Sequence, residues 1–177
     1  ILCEIITALG IQKIGGSFVC KFFDLYTIAT IKLLFLLNSF YDEVYVTKPL
    51  TSRPANSEKY IVCKKFKGID FNYVKELINV IGLWDKNSDH ILINDIFDIV
   101  IPSYYLKQIK NYNRINYKLQ IDTINNTLSL MSKSKSLSIL NNIIEKQVLK
   151  AKSWCEEYKE KVNHRSNFVI RFTKTLT

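Results

Sequence analysis

The chain has 177 residues, 47% of them hydrophobic, which is enough to bury the core of one globular domain or of a substantial piece of a larger one. Its formal net charge of +9 builds a positive field that draws in polyanions, so nucleic acid leads as a partner and simple solubility charge is the alternative. Cys3, Cys20, Cys63 and Cys155 lie far apart with no CxxC pair, which argues against zinc or a disulfide framework and for reduced thiols inside a cell.

No targeting segment is evident. The most apolar stretch, Ile31 to Phe40, is too short to cross a bilayer and carries Lys32 and Asn38, so a buried helix accounts for it and no membrane partner is expected. The chain opens on Ile1 directly in an amphipathic pattern, as the middle of a fold would, and an upstream portion is expected.

Residues 1–13 carry apolar positions Ile1, Leu2, Ile5, Ile6 and Leu9 at helical spacing, with Gly10 near the end. Gly15 and Gly16 turn the chain into Ser17 to Phe23, whose run SFVCKFF is β-branched and aromatic enough for a strand buried on both faces, as in a parallel sheet covered by helices. Lys21 is the anomaly in that strand. It either snorkels from an edge or meets a carboxylate or a phosphate, because a buried unpaired ammonium is costly.

A helix follows over 25–40, with Asp24 or Thr27 near its start. Glu43 to Lys48 alternates as a strand halted by Pro49, and Tyr60 to Lys64 forms another after the polar loop KPLTSRPANSEK. Two strands joined so closely are antiparallel, which gives a sheet parallel in its body with a hairpin at one edge. The fold class is α/β.

Beyond Gly68 the character turns helical. A short helix is expected over 71–82, a connector with the apolar piece ILINDIFDIVI over 84–101, and a long helix of roughly seven turns after Pro102, marked by Leu106, Ile109, Tyr112, Leu119, Ile124 and Leu128. After the linker SKSKS, Leu137, Leu140, Ile144, Val148, Ala151, Cys155, Tyr158 and Val162 mark a second helix, antiparallel to the first, with both stripes read as core.

The usual catalytic signatures are missing: there is no G-x-G-x-x-G, no phosphate-binding loop and no H-E-x-x-H. His90 and His164 stand alone, and the spacing of Cys155 and His164 gives no specific support for a nucleophilic pair.

What rises above background is GGSFVCKFFD followed by VTKPLTSRPANSEKYIVCK, with the run SRPANSE at 52–58. Over residues 10–66 this resembles the FtsJ/RrmJ-like ribose 2′-O-methyltransferases, most closely their mRNA cap-specific branch. The resemblance implies the C-terminal half of a Rossmann-like methyltransferase domain over 1–68, followed by a helical extension over 69–177. It implies methyl transfer from S-adenosylmethionine to an RNA ribose at the capped mRNA 5′ end, by a Lys-Asp-Lys-Glu tetrad in which Lys21 is the second lysine and Glu58 the closing glutamate.

Lys48, Ser52 and Arg53 are then candidate RNA contacts. The family's Gly-rich cofactor loop, first lysine and aspartate have no counterpart here, so the cofactor-binding residues are unassigned, and Asp24, which follows the lysine strand, does not replace the missing aspartate. A nuclear or cytoplasmic setting follows from the substrate, and the Ile, Asn and Lys bias suggests an AT-rich genome, a large DNA virus being one source. The alternative function is a non-catalytic RNA-binding or scaffold module that keeps the fold.

Overall fold

A computed structural model describes residues 1–86, 95–133 and 137–163. In chain order the elements are α1 (Leu2–Ile11), β1 (Phe18–Phe22), α2 (Ile28–Phe40), β2 (Tyr41–Thr47), β3 (Lys59–Phe66), α3 (Phe71–Lys86), α4 (Ser103–Lys133) and α5 (Leu137–Glu157). They group into two compact units, one of residues 1–49 with 54–120, the other of 50–53 with the described residues from 121 onward.

In the first unit, Thr27 starts α2 by accepting the Thr30 amide at 3.2 Å on its side-chain oxygen, satisfying one of the free N–H groups of the first turn. Ile31, Leu33, Leu34, Leu36 and Leu37 are all buried. Lys32 is buried among them, and its ammonium reaches Asp95 at 2.7 Å and the Phe97 carbonyl, so a polar terminus explains how a lysine sits in this helix.

The sheet has three strands in the order β1-β3-β2, and β3 is antiparallel to both neighbours. The expected β2–β3 hairpin forms. The expected parallel body does not, because the loop after β2 returns β3 into the space between β1 and β2, which run in the same direction without touching. The turn before β1 is tied into this arrangement: Gly15, at φ 82°, donates its amide to the Phe66 carbonyl at 2.7 Å, and the Phe66 amide donates to the Gly16 carbonyl at 3.0 Å.

One face of the sheet is buried and the other is open. Cys20 and Phe22 of β1 and Ile61 and Cys63 of β3 are almost fully covered, packing into one core with Leu34 and Leu37 of α2 and Ile5 and Leu9 of α1. On the opposite face Val19 is 57% exposed and Lys21 is also exposed. The expectation that β1 is buried on both faces is therefore corrected: strand alternation puts Val19 and Lys21 on the side away from the core.

Val74 and Leu77 of α3, Ile101, and Ile109 of α4 join the same core, so the packing of the first unit continues well past residue 68. Asn113 of α4 donates to the Leu25 carbonyl at 2.7 Å.

The apolar stripe of α4, expected to be core throughout, is core only in its first turns. Leu119, Ile124 and Leu128 are about half exposed or more, since the sheet-based core ends near Tyr112. In the second unit α5 keeps Ile144, Val148 and Cys155 partly buried while Leu140 and Tyr158 are exposed. His90, His164, residues 91–94 of the apolar connector and most of the SKSKS linker lie outside the described residues.

Candidate active site

The open face of the sheet carries the candidate pair. Lys21 lies in β1 directly opposite Tyr60 of β3, and its Nζ is 2.9 Å from Glu58 Oε1. The lysine side chain is 48% exposed and the glutamate 17%, so the pair is reachable from solvent while its carboxylate is largely enclosed. The Phe23 ring centroid lies 5.1 Å from the same ammonium.

Glu58 stands just before β3, and the local sequence holds it there. Its amide donates to Asn56 Oδ1 at 2.9 Å, an Asx-type turn that orients the residue two places on. Lys48 at the end of β2 donates to the carbonyls of Asn56 at 2.6 Å and Glu58 at 3.0 Å. Lys59, only 3% exposed, donates to the carbonyls of Ser57 at 2.8 Å and Phe23 at 2.7 Å, fastening the loop to the end of β1. Two lysines and one asparagine thus fix the backbone that presents the carboxylate.

The electrostatics differ among the three lysines. The hydrogen bond that Lys21 donates to Glu58 raises its ammonium above the ordinary lysine range, which favours the charged form. Burial lowers both Lys48 and Lys59, whose partners are carbonyls rather than a directly bonded carboxylate. As placed here, Lys21 is a hydrogen-bond donor.

Among the sequence candidates, Lys21 and Glu58 are brought together and Lys48 supports them through backbone carbonyls. Ser52 is half-buried and Arg53 exposed, both in the turn at 50–53, which belongs to the second unit. Tyr60 and Lys59 were not singled out by the motif. Tyr60 donates its phenol to Glu58 Oε1 at 2.9 Å, and the signal available for it was the Glu58-x-Tyr60 spacing, which places both side chains on one face of an extended segment.

Other chemistries find little support. Burial pushes the Cys20 thiol up to about 11 and Cys63 to about 12, so neither is a ready nucleophile. Among the described residues, no group of three or more His, Cys, Asp or Glu side chains could hold a metal ion, and no helix is long and apolar enough to cross a membrane.

The model of the family described as FtsJ-like methyltransferase matches residues 1–66. The "Cap-specific mRNA (nucleoside-2'-O-)-methyltransferase 1" of Mus musculus is 51% identical over 71 residues, covering 40% of this chain and 8% of the mouse protein. The protein of the same name from Xenopus laevis is 38% identical over 120 residues, covering 64% of this chain and 13% of its own length. "Cap-specific mRNA (nucleoside-2'-O-)-methyltransferase 1A" of Caenorhabditis briggsae is 36% identical over 121 residues, covering 64% of this chain and 14% of the worm protein. The chain therefore spans only a small part of the curated relatives it matches.

A methyltransferase family implies a methyl donor. The amide of Gly15 and the carbonyl of Gly16 are hydrogen-bonded to Phe66. The cleft of about 690 Å³ beside α1 is lined by Cys3, Glu4, Thr7, Ala8, Ile11, Gln12 and Phe18, with one carboxylate and no cation.

Proposed function

We propose that this chain, whose residues 1–66 match the FtsJ-like methyltransferase model, supplies part of the catalytic site of an RNA ribose 2′-O-methyltransferase acting at the capped mRNA 5′ end, with S-adenosylmethionine as methyl donor. The observation that carries the reading is the Lys21–Glu58 pair, 2.9 Å apart on the open face of the sheet, formed by two residues 37 positions apart in the chain.

A ribose hydroxyl is a weak nucleophile, and positioning its oxygen is the first thing a site must do. Lys21 donates a hydrogen bond to that oxygen. Glu58 keeps the ammonium in one place and balances its charge, so the lysine arrives oriented rather than as a freely rotating side chain. Proton removal by Lys21 itself requires a lowered affinity for its proton, and Glu58 acts in the opposite direction. The orienting role is therefore the one assigned to it.

The division into a family segment at 1–68 and a helical extension at 69–177 belongs to the same proposal and rests on the sequence match. So do RNA contacts by Ser52, Arg53 and Lys48 and a nuclear or cytoplasmic setting. The Lys48 ammonium already serves two carbonyls, which ties it to the loop backbone.

The experiment is methyl transfer to capped RNA by the protein expressed from its full reading frame, compared with the Lys21→Ala variant. Transfer that depends on Lys21 supports the reading. RNA binding without any transfer by the unmodified protein would point instead to the non-catalytic module.

A further inference from the structure

We infer that Tyr60 is a positioning residue for this site, its phenol holding the Glu58 carboxylate toward Lys21. Its catalytic consequence rests on the function proposed above; the geometric claim does not.

Tyr60 Oη and Lys21 Nζ both meet Glu58 Oε1, each at 2.9 Å. The cross-strand register places Lys21 and Tyr60 directly opposite one another, so the carboxylate oxygen is shared by donors from two adjacent strands. A glutamate side chain has three rotatable bonds, and one donor leaves it several ways to satisfy that donor. A second donor fixed by a rigid two-bond aromatic side chain removes most of them. Tyr60 is itself anchored in the central strand, paired in register with Lys21 on one side and Thr47 on the other.

The backbone ties from Lys48, Lys59 and Asn56 fix where Glu58 starts, and Tyr60 fixes where its carboxylate ends. The titratable groups facing Lys21 are Glu58 and Tyr60, and the Phe23 ring closes a further side.

The test uses Tyr60→Phe, which deletes one oxygen from a half-buried side chain and leaves the ring that packs. In the 177-residue chain, pH-dependent acylation of Lys21 by acetic anhydride, read by mass spectrometry, reports how strongly the amine holds its proton. Loss of an oriented Glu58 should make Lys21 several-fold more reactive at pH 9, approaching the reactivity in Glu58→Ala, with the fold retained by circular dichroism. Lys21 reactivity identical to that of the unmodified chain in Tyr60→Phe, with an increase in Glu58→Ala, would overturn the inference. No increase in either variant would also overturn it, because the pair would then not persist in solution.

In the full-reading-frame protein, Tyr60→Phe should lower kcat by roughly 10- to 100-fold with KM for RNA unchanged, the signature of a misplaced group rather than a lost substrate contact. A rise in KM at constant kcat would contradict positioning and make Tyr60 an RNA contact. A labelling shift in Tyr60→Phe, found in a protein with no methyl transfer at all, would keep the positioning role and remove the functional reading.

Discussion

Lys21 and Glu58 come together because β3 inserts beside β1: the strand register sets Lys21 opposite Tyr60, and Glu58, two residues earlier, reaches back to place Oε1 2.9 Å from the lysine Nζ. The pair has a pH signature. Glu58 raises Lys21 above its unfolded value, so the stabilisation is fully present below the ordinary lysine range and is lost as pH rises through the raised value. Melting temperatures of the unmodified chain and Glu58→Gln should therefore differ at pH 8 and converge at strongly alkaline pH. A constant difference would mean that the stabilisation is not ionic.

Lys59 should behave with the opposite sign. Burial lowers its proton affinity in the folded state, so its contribution to stability grows as pH climbs from the lowered value toward the ordinary lysine value. A neutral amine still has two N–H donors, enough for the carbonyls of Phe23 and Ser57. Lys59→Met leaves both carbonyls without that donor, and denaturant unfolding should show a loss of about 1–3 kcal/mol.

The buried face of the sheet sets a scale for fold stability. Leu37 is fully buried against the core, and Leu37→Ala should cost about 2–5 kcal/mol through lost transfer energy and the cavity left behind. Leu128→Ala, on the exposed part of α4, should cost well under 1 kcal/mol. Equal losses at the two positions would contradict the division of α4 into a core-facing start and an exposed remainder.

RNA binding separates the loop from the helices. If Arg53 meets a phosphate, Arg53→Ala should flatten the log-log salt dependence by about 0.7 on a single strand, and Lys48→Ala should act mainly by loosening the Asn56–Glu58 segment. Removal of Lys107, Lys110, Arg114 and Lys118, all exposed on α4, tests the other basic surface. An unchanged slope in Arg53→Ala with a reduced slope in the helix variant would move the RNA path to α4.

The sequence disclosed the candidate pair more completely than the sheet. Lys21 stood out as an ammonium in an otherwise apolar strand, which breaks a local rule, whereas Glu58 was reached through the resemblance carried by SRPANSE and the Gly-Gly turn. The hairpin between β2 and β3 was legible from loop length, whereas the insertion of β3 between β1 and β2 is a non-local choice that strand propensity does not report. The exposed face of β1 was missed for a related reason: apart from Lys21, Phe18 to Phe22 reads as apolar throughout, and its sidedness depends on which face the helices cover. Lys59 could be read as one more basic residue beside a polar loop, and its burial follows only from the pairing of Phe22 with Lys59 across the strands.

The most direct measurement is methyl transfer to the ribose of capped RNA by the full-reading-frame protein and its Lys21→Ala variant, with circular dichroism and S-adenosylmethionine binding as controls. Loss of an oriented catalytic group predicts a rate reduced by about 10²–10⁴-fold, with fold and donor binding retained. Near-normal turnover in Lys21→Ala would contradict the account.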